Sequence, residues 1–473
     1  MLYLGFNAYE KSINSIDSTV VFMAKDGERD FLIIAANGEK TGSQLGFKGE
    51  DIDGGIFRAA LTHENACVLR NLFPFTSPVR GLRNPKSFGL GDRLGIATHG
   101  HTVLFEKNDV FPVFAQQSIR ELNLTNRSFE DVLDAASFAV FREGYKKGFG
   151  ADGDHLKTAE DIRYALSLGF TMITLDCSEH IRNGAAPGSV PPLAEHYACK
   201  YLNKTFDIEE GISLVFSENE LAQCATIYSG AISFAADMYS RFLADGRYNA
   251  DFEISIDETA SVTTPLQHFF AARELLDAGV SFATIAPRFC GEFQKGIDYS
   301  GDIAQFEKEI KVHAAIARHF GYKLSIHSGS DKFSVFPIIG RETRGHFHVK
   351  TAGTNWLEAM RTAAVADPSL YREIHSYALT AFDDARKYYH VTTDLSAIPD
   401  ISAVKDNALV GLFENNDARQ LIHITYGHIL TQKNPDGSFM FKDRLYKLLR
   451  EHEEEYRSAL VKHIGKHLKL LNV

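Results

Sequence analysis

The sequence predicts an α/β chain built on a (β/α)8 TIM-type barrel, with a small N-terminal cap and a C-terminal helix. Three observations predict it. Runs of four to six β-prone residues repeatedly stop at an ionisable side chain, and a helix-like stretch follows each. Gly, Pro, Thr and Asp mark the boundaries of those helical stretches. The 473 residues suffice for one large barrel with additions.

In chain order, residues 1–80 read as a cap. Strand-like pieces at 18–23 and 30–35 lie between turns such as Asn37-Gly38 and Asp53-Gly54-Gly55. Residues 81–440 read as the barrel. Its six clear strands are FGADGDH (149–155), TMITLD (171–176), FEISIDE (252–258), FATIAPR (282–288), KLSIHS (323–328) and HFHVK (346–350). Strands near 95–98 and 389–392 would bring the count to eight. Helices are expected over 158–168, 264–278, 302–320 and 355–364, from apolar spacing and from stops such as Gly169, Gly279 and Gly321. A helical insertion is expected at about 195–245, and residues 441–473 read as one charged amphipathic helix.

Composition narrows the function classes. Hydrophobic content of 44% and charged content of 23% are ordinary for a soluble enzyme. A net charge of −11 disfavours nucleic acid and anionic membranes, which need a basic footprint. Five scattered cysteines without a CxxC pair support neither a disulfide framework nor a thiolate zinc cage. The N-terminus lacks a basic, then apolar, leader, and no apolar stretch approaches the roughly 20 residues of a spanning helix. A cytoplasmic enzyme acting on a small molecule is expected, with a homo-oligomer as an option.

Parallel barrel strands point their C-terminal ends at one face, which carries the chemistry. Asp152 and Asp154 alternate on one side of their strand, with His155 at its tip. Turn or helix-cap duty would also use Asp and Gly, but a cap does not need two aspartates and a histidine. Asp257 and Glu258 follow another strand, where alternation admits one of them to the barrel mouth. His327 precedes a Ser328-Gly329-Ser330 loop, whose N–H groups suit an anion together with Lys332 and a helix starting near Phe333. His346 and His348 share one strand face, with Lys350 after them. Histidines at separate strand ends suggest a metal site with an open position. Arg288 is a candidate clamp for a substrate carboxylate, although a structural ion pair would also use it. FGLGDR at 88–93 is neither a dinucleotide fingerprint nor a P-loop. His99-Gly-His101 invites a different reading, a metal-dependent hydrolase of the amidohydrolase type with His327, His348 and Asp394 conscripted as ligands. A non-catalytic sugar-binding barrel is a third class.

The strings SFGLGDRLGIAT (87–98), GADGDHLK (150–157), YSGD (299–302) and SIHSGSDKF (325–333) resemble the tagaturonate epimerase family, over roughly residues 80–420. The resemblance implies a barrel enzyme that interconverts tagaturonate and fructuronate, with relatives acting on tagatose and fructose. It implies a divalent cation (Zn, Mn, Ni or Co), and it carries over Asp154, His155 and His327. Glu258 and His348 are added from their strand-end positions. The expected set is Asp154 and Glu258 as base and acid, His155, His327 and His348 as metal ligands, and Arg288, Lys332 and Ser328 as substrate contacts. In ketohexose numbering the inverted C4 is β to the C2 carbonyl, so enolisation does not acidify its hydrogen. Retro-aldol cleavage of C3–C4, rotation of the aldehyde and re-addition is the expected route, with the cation as Lewis acid.

Overall fold

Short runs rich in β-branched and apolar residues form the barrel strands, interrupted where a polar side chain turns inward. The structure, a computed structural model, describes residues 1–27, 29–36, 41–182 and 193–473. In chain order the barrel strands are β1 (Lys86–Leu90), β2 (Phe111–Ser118), β3 (Gly150–Leu156), β4 (Met172–Asp176), β5 (Asp251–Ile256), β6 (Thr284–Pro287), β7 (Lys323–Ile326) and β8 (Phe347–Thr351). They close in that order, with β8 beside β1, into one parallel barrel. Every residue of β4 to β8 is buried, the pattern of strands covered on both faces.

Six strands coincide with the runs seen in the sequence. The other two are β1 and β2, not the stretches near 95–98 and 389–392. Thr98 begins a helix (Thr98–Phe105), and residues 389–392 are irregular. Sequence concealed β1 behind Pro85 and an internal Gly89, and β2 behind Pro112, which argues against a central strand.

Two compact units make up the chain. One comprises residues 80–89, 152–351 and 467–473. Three of its helices start where sequence placed them, and Thr158, Thr264 and Asp302 each accept a backbone N–H of the helix that follows. Ser217 caps a further helix in the same way. The helix Ile303–Phe320 stops at Gly321, whose φ of +78° suits a residue without a Cβ. Between β4 and β5 lie a short helix (Glu195–Tyr201), an antiparallel hairpin (Thr205–Ile208 with Ile212–Val215) and a long helix (Glu218–Phe242). The hairpin is an addition to the helical insertion expected there.

The other unit comprises residues 1–79, 90–151 and 352–466. Its first segment forms a seven-stranded sheet that contains Thr19–Asp26 and Arg29–Ala36 as its longest pair. Val21, Leu32 and Ile34 pack there with Phe138 and Phe141. The expected Asn37-Gly38 turn lies outside the described residues. A second core of this unit gathers Trp356, Leu421 and Tyr456. The C-terminal stretch is two helices, Lys442–Glu451 and Glu453–Leu470, broken at His452. Among the described residues no helix is long and apolar enough to cross a membrane.

Candidate active site

The polar side chains at the C-terminal ends of β3, β5, β7 and β8 all belong to the unit of residues 80–89, 152–351 and 467–473. On β3, Asp152 and Asp154 point inward by alternation, and both are buried. Gly153 between them faces the helix behind. A Cβ there would lie 2.9 Å from Leu156 Cδ1 and 3.1 Å from Ala165 Cβ. The β3–β4 register shifts between Gly153 and Leu156, and His155 takes a left-handed φ of +55°. Such a bulge re-aims a side chain. It turns His155 to the same side as Asp154, and His155 Nδ1 lies 2.8 Å from Asp154 Oδ1.

On β8, alternation sends both His348 and Lys350 inward. Lys350 is one residue pair nearer the mouth and forms the hub. Its Nζ lies 2.7 Å from Asp152 Oδ2, 2.5 Å from Asp154 Oδ1 and 3.1 Å from Glu253 Oε1, and it donates to Thr174 Oγ1 at 2.7 Å. Glu253, from the middle of β5, is fully buried and also accepts Thr284 Oγ1–H at 2.6 Å. Its Oε1 lies 2.8 Å from His327 Nε2. The other ring nitrogen of His327 lies 3.1 Å from Asp257 Oδ1. That nitrogen is buried and makes no hydrogen bond. Ser255 Oγ–H holds Asp257 Oδ1 at 2.6 Å. Glu258 Oε1 stands 3.6 Å from His155 Nε2 and is the most exposed of these carboxylates. The rings of His155 and His327 are 4.9 Å apart.

The charges are tightly interlocked. Burial alone would raise Asp154 and Glu253. Lys350, with His155 for the one and His327 for the other, outweighs it and holds both carboxyls well below their usual range. Asp257 is likewise brought to about 2, where His327 outweighs burial. Asp152 is pushed up to about 7, because burial and the two neighbouring carboxylates exceed what Lys350 offsets. Burial would lower His327, but Asp257 and Glu253 raise it to about 10. His155 is raised in the same way by Asp154 against burial.

Three carboxylates therefore converge on one ammonium and two more stand against the histidines, and the surplus negative charge draws positive charge onto the two imidazoles. A divalent cation answers the same need. His155, Asp257 and His327 each offer a ligand atom, all within 4.8 Å of one another. Each histidine has its remaining nitrogen against a buried carboxylate, Asp154 or Glu253, the arrangement that fixes the tautomer of metal-binding histidines. His327 Nδ1, which faces Asp257 Oδ1 at 3.1 Å, is the ring atom left to hold a cation with that carboxylate.

The expected site residues divide. Asp154, His155, Glu258 and His327 come together. His348 does not join them. It lies deeper, 3.0 Å from Ser87 Oγ, and burial lowers it to about 3. Ser328 follows His327 in a left-handed conformation and accepts from Lys295 Nζ at 3.2 Å. Lys332 is fully buried and donates to the carbonyls of Gln294, Ile297 and Ser330 at 2.8, 2.6 and 2.8 Å. Arg288 donates to the Thr259 carbonyl, and its own backbone N–H is held by Thr263 Oγ1 at 3.1 Å. Both cations thus staple loops. The helix beyond Ser330 begins at Phe336 rather than near Phe333.

Sequence reasoning chose Glu258 over Asp257 and gave no role to Glu253 or Lys350. Alternation along FEISI and HVK does point Glu253 and Lys350 inward, but it does not give depth. β5 ends at Ile256, so alternation no longer governs Asp257 and Glu258, and both approach the histidines. The HxH pair is elsewhere. His99 and His101 are buried on the helix Thr98–Phe105, and His101 Nε2 meets Asn355 Oδ1 at 2.9 Å. Asp394 is exposed and holds Ser396 N at 2.9 Å. The amidohydrolase constellation needs HxH on a barrel strand, and the helix withholds it.

Comparison with known proteins agrees with this barrel. A family model described as tagaturonate epimerase matches residues 9–471. A "Tagaturonate/fructuronate epimerase" of Thermotoga maritima is 45% identical over 485 residues, covering 99% of this chain and 97% of that protein. The native crystal structure of a fructuronate-tagaturonate epimerase from Cohnella laeviribosi is 50% identical, with a TM-score of 0.95, covering 99% of this chain and 96% of that one. A glycerol complex of the Cohnella laeviribosi epimerase is 49% identical, with a TM-score of 0.94, covering 99% and 97%. The chain belongs to the tagaturonate epimerase family.

Proposed function

We propose that this enzyme interconverts tagaturonate and fructuronate, with a divalent cation held by His155, Asp257 and His327, through retro-aldol cleavage and re-addition. The observation that carries the reading is the pair of carboxylate-backed histidines at the barrel mouth, their rings 4.9 Å apart, with Asp257 beside His327. Family membership supports the substrate class.

A divalent cation held by His155, Asp257 and His327 would supply Lewis acidity for the negative charge that develops on the ketose oxygens. Glu258, open to the mouth beside His155, takes the C4 hydroxyl proton. The C3–C4 bond then breaks, leaving an aldehyde at C4 and the electron pair on the three-carbon ketose fragment. Rotation of the aldehyde presents its other face. C3 re-adds, and Glu258 returns the proton to the new C4 alkoxide. Asp154 is pinned as a carboxylate by Lys350 and orients His155, so it acts as a positioning residue. Lys350 also keeps Glu253 anionic behind His327. Lys295, whose Nζ donates to Ser328, the residue after His327, is the cation offered to the substrate carboxylate in place of Arg288 and Lys332.

Turnover in D2O tests the route. The C4 hydrogen stays on its carbon in a retro-aldol path, so the product carries no deuterium at C4. Substantial label at C4 would sink the path and favour direct proton exchange.

A further inference from the structure

At the opposite end of the barrel, the N-terminal ends of β5, β6, β7 and β8 surround a cleft of about 780 Å³. All of its lining belongs to the unit of residues 80–89, 152–351 and 467–473. Its charge is opposite to that of the whole chain. Arg80, Arg83, Arg318 and Lys323, with His346, line it against a single carboxylate, Asp251, while the chain carries −11. Asp251 is already consumed. It accepts Arg80 Nε at 2.9 Å, Gly81 N at 3.1 Å and Leu82 N at 2.9 Å.

The remaining cations are held at different depths. Lys323 is 6% exposed and donates to the Asn84 carbonyl at 2.7 Å and Ser87 Oγ at 2.8 Å. Arg318 is already taken up: it donates to the Glu342 carbonyl at 2.8 Å and is paired with Glu210. Arg83 and His346 stand exposed. Tyr239 and Tyr248 supply flat walls, with Phe252 and Phe282 beside them. Guanidinium forks recognise phosphate oxygens, and aromatic walls recognise a planar ring. The volume lies within the range of small-molecule sites.

We infer that this cleft binds a nucleoside phosphate, with its phosphates toward the exposed Arg83 and His346 and its base against Tyr239 and Tyr248. The site is remote from the epimerase chemistry and would serve as an effector site.

Isothermal titration of the full-length enzyme with ADP tests it, beside adenosine and inorganic phosphate. ADP is expected to bind saturably, and more tightly than either fragment. Arg83→Glu and Tyr248→Ala are each expected to weaken ADP by about 10-fold or more, a loss of about 1.4 kcal/mol. Both variants keep the epimerase turnover of the parent measured without ADP. Absence of saturable binding up to about 1 mM ADP would overturn the inference. So would parental ADP affinity in Arg83→Glu, or inorganic phosphate binding as tightly as ADP with no effect of Tyr248→Ala.

Discussion

Replacing Lys350 with Met keeps the volume of the side chain and removes the ammonium on which three buried carboxylates converge. Lys350 is 4% exposed, and Asp152 and Glu253 are fully buried. Its contacts with the three carboxylates span 2.5 to 3.1 Å. Breaking a buried ion pair by deleting one partner typically costs about 3–5 kcal/mol, because the other charge is left in a medium that solvates it poorly. The variant is therefore expected to lose about 3 kcal/mol or more at neutral pH, read from the shift of its denaturant midpoint. The sign with pH follows from the carboxylates. In the parent, Asp154 and Glu253 sit well below their usual range, so their contribution is present above the unfolded carboxylate pKa and fades as pH falls through the folded one. Without Lys350, burial raises them instead, and the folded variant takes up protons that the unfolded chain does not. The gap between parent and variant is widest near pH 8 and narrows toward about pH 5. A Lys350→Met loss below about 1 kcal/mol, or a gap that widens in acid, would show that this lysine is not the counter-charge of the site.

Other substitutions separate the roles of the neighbouring groups. Asp154→Asn keeps the contact to His155 but not the charge, and metal affinity by equilibrium dialysis is expected to fall about 10- to 100-fold. Glu258→Gln is expected to retain metal and substrate binding while turnover drops by roughly 10² or more, measured in steady state. Gly153→Ala forces a methyl against Leu156 and Ala165 and is expected to destabilise the fold by about 1–3 kcal/mol in chemical denaturation. His348→Ala is expected to keep full metal occupancy, since that imidazole pairs with Ser87 below the site.

The barrel was legible where strands end in a polar residue and helices begin at a Thr, Ser or Asp cap. β1 and β2 escaped because Pro85, Gly89 and Pro112 weaken the local β signal, while barrel closure supplies the pairing that local sequence does not. The site was legible in part for the same reason. Alternation names the inward side chains but not their depth along the barrel axis, so His348 stood out over Lys350. Glu253 sits mid-strand, where a carboxylate reads as unfavourable until the lysine and histidine that neutralise it are brought from β8 and the end of β7. His155 joined Asp154 through a bulge that no period-two rule anticipates. Lys332 and Arg288 carry charges that sequence assigns to substrate; Lys332 donates to three backbone carbonyls, and Arg288 to that of Thr259.

The direct test of the proposed metal centre is an anomalous difference map from crystals of the catalytically active enzyme grown with a divalent cation. The expected result is one strong peak within about 2.0–2.2 Å of a nitrogen of His155, a nitrogen of His327 and an oxygen of Asp257. A peak centred on His348 instead, or an active enzyme with no peak among these three residues, would contradict the assignment.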